Sequence, residues 1–295
     1  MSAEEKPSPG PNKKLLENPF VGSLVVPIAI VLTGALIIFG VTKMISTDRS
    51  YKDLVREMQS KKFGNRWIAA YELSKLISTK SIPNEDIPWL VGELTSAYDS
   101  SKDLRTKEFL VVAAGALGNP LSIPLIQRAF TEPEDPNSQS AIKFHGVVAL
   151  GNMPKGTKID WAPVEKFLTA KDEGLKQAAI LALASHKVQS SESEILNIQN
   201  QGGKILRFVA ATALVHYRNE ASIPVLQELL KPGAESLLAE GFTAQQVQNL
   251  KLNALAAIDR VKWSALRSEI EEISDKEPDV KVVTKARKIL NELKK

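Results

Sequence analysis

Two stretches of this chain are near copies: LVVAAGALGNPLSIPLIQRAF, Leu110 to Phe130, and RFVAATALVHYRNEASIPVLQELL, Arg207 to Leu230. Both run AA-x-AL, then a polar break, then Ser-Ile-Pro and an apolar segment containing Gln. The duplication extends to the rest of the chain. The pattern is a starting residue, small or apolar residues at +3 and +4, usually Ala at +6, and Leu or Ile at +7. It begins at Arg66 (RWIAAYEL), Leu110 (LVVAAGAL), Lys143 (KFHGVVAL), Lys176 (KQAAILAL), Arg207 (RFVAATAL) and Lys251 (KLNALAAI), with a degenerate copy at Val283 (VTKARKIL). Successive starts lie 44, 33, 33, 31, 44 and 32 residues apart. Positions +3, +4 and +7 share one side of a helix with 3.6 residues per turn, so each copy predicts an amphipathic helix with a small apolar face.

A second helix accompanies each copy. YKDLVREMQ, IPWLVGEL, IPLIQRAF, APVEKFL, SEILNIQ, IPVLQELL and SALRSEIEEI all carry the i, i+3, i+4 apolar pattern. Pro88, Pro124, Pro163 and Pro224 fall in first turns, where a missing N–H costs nothing. Asp86, Ser122 and Ser222 are the expected caps, and Gly118 and Gly151 the expected left-handed terminators. Helical hairpins recurring at this period predict an all-α fold, an α-solenoid of about seven units sharing one continuous core.

The basic starting residue, small pair and Ala-Leu resemble the HEAT repeat, in particular the short HEAT-like repeats of phycobilisome lyases. The resemblance covers roughly residues 50–295 and implies the fold. For activity it implies little, since the same repeat serves unrelated tasks, including DNA glycosylases and pigment or cofactor lyases.

Composition agrees. The 295 residues are 43% hydrophobic and 24% charged, with 6% aromatics, a balance that favours helices. The absence of cysteine excludes disulfides, thiolate catalysis and Cys-based zinc sites. A net charge of +4 and a pI near 9.0 fall short of a dedicated nucleic-acid binder.

The division expected from sequence is a disordered tail over 1–19, a transmembrane helix over 20–45 and the HEAT-like solenoid over 46–295. The 25 residues between Glu17 and Lys43 carry no charge, and a bilayer core needs about 20 apolar residues. A single-pass membrane protein follows as an expectation. The solenoid is leaned to the non-cytoplasmic side because Lys13-Lys14 resists export of the tail. Two inserts, about Lys80–Leu104 and Leu230–Asn249, account for the 44-residue intervals. The second is expected to form a short helix at Ala244–Asn249, and Thr131–Ser140 an exposed loop.

Catalytic signatures are missing. His145, His186 and His216 are the only histidines and lack metal-ligand spacing, so no metal is expected. No Gly-rich phosphate cradle or nucleophile elbow occurs, so no cofactor, no catalytic residue and no small-molecule substrate are expected. The remaining pattern is a basic ladder, Arg66, Lys143, Lys176, Arg207 and Lys251, with Trp67, Phe144 and Phe208 beside three of its cations. It reads two ways. It is a cationic, aromatic stripe for a partner, or a set of ion pairs and core contacts holding hairpins in register. Trp89, Trp161 and Trp263 read as packing between repeats. The function expected from sequence is a non-enzymatic, membrane-anchored scaffold or adaptor binding a protein partner, with nucleic acid not expected. The alternatives are a DNA glycosylase-like nucleic-acid binder and a cofactor lyase.

Overall fold

The structure is a computed structural model that describes residues 49–59, 66–79, 82–133 and 141–293. The compact unit spans Leu54–Lys295, and of the segment up to Asp53 only residues 49–53 are described. Among the described residues there are helices and no strands. They form seven pairs. In each, a first helix (A) precedes a second (B) that carries the Ala-rich pattern. The A helices are α1 (Tyr51–Gln59), α3 (Ile87–Ser100), α5 (Ile123–Arg128), α7 (Ala162–Glu165), α9 (Glu192–Gln201), α11 (Ile223–Leu229) and α14 (Arg267–Lys276). The B helices are α2 (Arg66–Thr79), α4 (Leu104–Ala116), α6 (Ala141–Gly151), α8 (Glu173–Ser185), α10 (Lys204–Leu214), α13 (Ala244–Val261) and α15 (Val280–Leu293). One extra helix, α12 (Glu235–Ala239), lies between α11 and α13.

Each B helix packs on the B helices of its neighbouring hairpins, forming one layer. Small residues allow this. A Cβ added to Gly115 of α4 would stand 2.5 Å from the Cβ of Ala149 in α6, and one added to Gly151 would stand 2.9 Å from Ala182 Cβ in α8. Those two contacts also correct the register. Gly151 is position +8 of its repeat and meets +6 of the next. Gly115 makes the same contact, so its repeat starts at Lys107, not Leu110. The N-caps agree, since Asp103, Asp172 and Gly203 each lie four residues before Lys107, Lys176 and Arg207. Leu110, Val111, Ala113 and Ala114 then occupy +3, +4, +6 and +7, and all four are fully buried. A slip of three residues keeps nearly the same helix face, which is why the letters matched at the wrong offset.

The caps also differ from expectation. Asp86, Ser122 and Ser222 make no capping hydrogen bond. Asp103 and Asp172 accept from Thr106 N and Leu175 N at 3.0 Å each, and Thr243 forms a reciprocal capping box with Gln246. In the Ser-Ile-Pro turns Asn119 and Asn219 accept from Leu121 N and Ala221 N. Ser122 and Ser222 instead point inward and donate to Asn119 O and Asn219 O. Gly118 has the expected left-handed conformation, φ +57°, whereas Gly151 is simply the last residue of α6. The stretch Lys80–Leu104 contains a 3-10 turn and the A helix α3 rather than an added element. The short helix expected at Ala244–Asn249 is the first part of the 18-residue α13, because Val247 and Leu250 continue its buried face into the repeat. Of the Thr131–Ser140 loop, residues 134–140 lie outside the described residues.

The tail over 1–19 and the segment 20–45 also lie outside the described residues. Among the described residues no helix is long and apolar enough to cross a membrane. The single-pass localisation, and with it the placement of the solenoid on the non-cytoplasmic side, is withdrawn on that finding.

Gly115→Ala tests the close approach. At an ordinary helix position this change stabilises by about 1 kcal/mol. Here the new methyl meets helix-borne atoms of Ala149 that cannot swing away. A net loss of about 1–3 kcal/mol is expected, measured as a lower urea midpoint with unchanged slope.

A candidate ligand groove on the B layer

Two cations of the basic ladder, Arg207 and Lys251, act as staples between hairpins, and Lys107 joins them at the corrected register. Lys107 Nζ pairs with Glu132 Oε1 at 2.6 Å, just after α5. The Tyr98 hydroxyl donates to the same oxygen, and burial together with Glu132 pushes this phenol well above its usual value. Arg207 of α10 grips Glu228 of α11 through two parallel hydrogen bonds, 2.8 and 2.7 Å. That contact raises the Arg207 pKa and lowers the Glu228 pKa. Lys251 of α13 is 1% exposed. Its ammonium meets Glu277 at 2.6 Å and donates to the carbonyls of Lys231 and Gly233, holding down the segment that leads into α12. In all three, a B-helix cation reaches a carboxylate near the C-terminal end of the next hairpin's A helix. Lys107 was missed in the sequence because the Leu110 register hid it.

Other expected partner-binding residues separate. Arg66 opens α2 and is half-buried, as are Lys143 and Lys176. Trp67 stacks on Phe109, 6.2 Å between centroids, beneath Arg105. Phe208 is buried against Phe242. Lys251 and Phe208 therefore serve the interior and offer no surface to a partner. Phe144 alone of the expected set reaches the cavity described next. Trp263 is buried and Trp161 packs on His186, while Trp89 is exposed.

With the register corrected, two further rows appear on the open face of the B layer. Position +5 is Tyr71, Val112, Val148, Leu181, Thr212 and Ala256. Tyr71, Val148 and Leu181 are exposed large apolar residues. Position +9, one turn on, holds Asn152, Ser185, His216 and Arg260. Across α6, α8, α10 and α13 these rows border a cavity of about 490 Å³. Helix α10 and the 3-10 turn that follows it are buried on nearly the whole circumference, from Phe208 to His216. Its Thr212 and His216 therefore form the floor, 4% and 7% exposed. Gln177, Leu181 and Ser185 of α8 rise on one side, Asn253, Ala256 and Arg260 of α13 on the other, and Phe144 and Val148 close the α6 end.

The floor is chemically unfinished. Thr212 Oγ1 and His216 Nδ1 are buried and lack a hydrogen-bond partner. Buried polar atoms are paired in the large majority of cases, and leaving one unpaired costs about 1–3 kcal/mol. The other histidines are satisfied. His145 Nε2 lies 3.0 Å from Glu108, and His186 Nε2 lies 3.2 Å from Gly151 O. Burial, then the charges of Arg260, Lys155 and Lys187, lower the His216 pKa to about 4, so the ring is neutral at neutral pH. Among the described residues no group of His, Asp and Glu suits a metal ion.

No family model and no curated protein matches the chain. Solved structures do. One is described as the complex of CpcE and CpcF of phycocyanin lyase from Nostoc sp. PCC7120. It matches with TM-score 0.56 and 15% identity over 83% of this chain and 95% of that one. A second, an engineered protein, has 17% identity and TM-score 0.36, over 83% and 97% of the two chains. The first likeness establishes a HEAT-like helical fold. It also corrects the expectation that the chain is not an enzyme: a chain of this architecture is part of a lyase, so missing catalytic signatures do not exclude enzymatic work.

Two measurements check this geometry. Glu277→Gln leaves the buried Lys251 ammonium without its counter-charge and is expected to cost about 3–5 kcal/mol. Hydrogen exchange in 231–242 should speed up with it, and Lys251→Met combined with Glu277→Leu should recover much of the loss. The pH dependence follows from His216. Its folded value near 4 lies below the ordinary 6.5, so the unfolded chain takes up the proton first as pH falls. The stability involved is complete above pH 6.5 and drains away down to pH 4, by on the order of 1–3 kcal/mol. In His216→Gln the fall in urea midpoint between pH 7 and 4.5 should shrink, with His186 and, at the acid end, lowered carboxyls such as Glu228 and Glu269 contributing to what remains.

Proposed function

We propose that this chain is a HEAT-like solenoid of the cofactor-lyase type, which holds an organic group in the B-layer groove while engaging a protein partner. The observation that carries this reading is the groove itself. It is a concave site with walls of mixed character, an apolar α6 end and two unpartnered polar atoms on its floor, in the size range of small-molecule sites, about 300–1,000 Å³. The fold likeness supports it, because that solved neighbour is a two-chain complex of a phycocyanin lyase. Partner engagement is supported by the exposed apolar side chains of Tyr71, Val148 and Leu181, which lie in one row along the B layer. The small-molecule role replaces the expectation of no small-molecule substrate. The nucleic-acid alternative is weakened, since Arg207 and Lys251 of the five ladder cations are engaged with carboxylates.

Full-length protein isolated under non-denaturing conditions from its native host should release an organic molecule on solvent extraction, in about equal molar amount, by mass spectrometry. Ala256→Trp, at an exposed wall position, should abolish this without lowering the melting temperature. Protein that carries no such molecule, and gains no thermal stability from a panel of aromatic and open-chain cofactors, would sink the proposal.

A further inference from the structure

The floor and one end of the groove specify what kind of group it takes. Arg260 lines the cavity, and Lys155 and Lys187 stand close enough for their charges to bear on His216. None of the three forms an ion pair among the described residues, and no Asp or Glu lines the cavity. Cations near helix C-termini also offset the helix dipole, so their presence alone decides nothing. The decisive observation is that Thr212 Oγ1 and His216 Nδ1 are more than nine-tenths buried, unpartnered, and on the cavity floor. The hydroxyl and, in the matching tautomer, the ring N–H are both donors in search of an acceptor. Toward the α6 end, the side chains of Leu181, Val148 and Phe144 are carbon alone.

Resting on the groove reading above, we infer that the groove binds an organic carboxylate. Its acid group lies against Arg260 and the Thr212–His216 floor, and its apolar body lies along Leu181, Val148 and Phe144. An arginine receives a carboxylate through paired N–H donors, and a cavity without acidic lining does not oppose the charge. A neutral ligand of the same body would leave Arg260 without a counter-charge.

The test uses the full chain and two probes of the same shape, 2-naphthoate and the neutral 2-naphthamide, titrated calorimetrically. Naphthoate is expected to bind at least about tenfold more tightly, the scale of one charge-assisted pair. Arg260→Ala should erase that preference and leave amide affinity within about twofold, because it removes the charge and not the apolar wall. Thr212→Val, which keeps the side-chain shape, should weaken naphthoate by about three- to tenfold through loss of one hydrogen bond. Ala256→Trp should block both probes. Equal affinity for the two probes, or a preference that survives Arg260→Ala, overturns the carboxylate assignment and leaves the groove as a site for neutral groups. Binding of neither probe overturns the carboxylate assignment as well, and extraction of a neutral molecule from native protein would separate that failure from failure of the groove itself.

Discussion

The structure depends on how closely successive B helices approach. Where Gly115 faces Ala149 and Gly151 faces Ala182, the helices come so near that a single methyl group has no room. That proximity makes seven short hairpins one body. None of them buries its apolar face alone, and each becomes a wall of its neighbour's core. Across the repeats that start at Arg66, Lys107, Lys143, Lys176, Arg207 and Lys251, the sequence meets the constraint with Ala or Gly at +3 except for Leu110, Ala at +6 except for Glu72, and Ser, Gly or Ala at +8 in the first four. Aromatics are confined to the margins, as in the Phe208–Phe242 and Phe130–Phe167 contacts.

Charge does the complementary work. A layer held by small residues slides easily, because one Ala stripe resembles the next. The pairs Lys107–Glu132, Arg207–Glu228 and Lys251–Glu277 resist such sliding, since each is satisfied at one offset only. They differ in burial. Arg207–Glu228 is partly solvated and contributes about 0–1 kcal/mol, which suits a registration device better than a source of stability. Lys251–Glu277 is enclosed and tied to two carbonyls, so it fixes the path of the insert as well as the stacking of two hairpins.

The repeated hairpin was legible in the sequence because its cause, a small apolar face every 31 to 44 residues, is local. Arg66, Lys143, Lys176 and Arg207 were read at the right offsets for that reason. The register at Leu110 was misread because Ala-rich helices tolerate a three-residue slip without exposing a different face. The groove was not legible at all. It arises where the buried face of α10 meets α8 and α13, a tertiary arrangement that no single helix encodes. The signal available was slight: Thr212 and His216 are polar residues in a B helix that is otherwise apolar from Phe208 to Val215. His216 has no second histidine at metal spacing, and that pattern does not signal a lone hydrogen-bonding group.

The groove carries a mechanical meaning. The cavity floor belongs to one hairpin and its walls to those on either side, so its width is a measure of the angle between stacked units. A solenoid bends by small rotations shared among its interfaces. An object wedged between Leu181 and Ala256 would hold one of those angles fixed, and the hairpins beyond it would move as a lever about that fulcrum. A group filling the groove would thereby bear on the curvature of the array, along which the exposed apolar row continues to Tyr71.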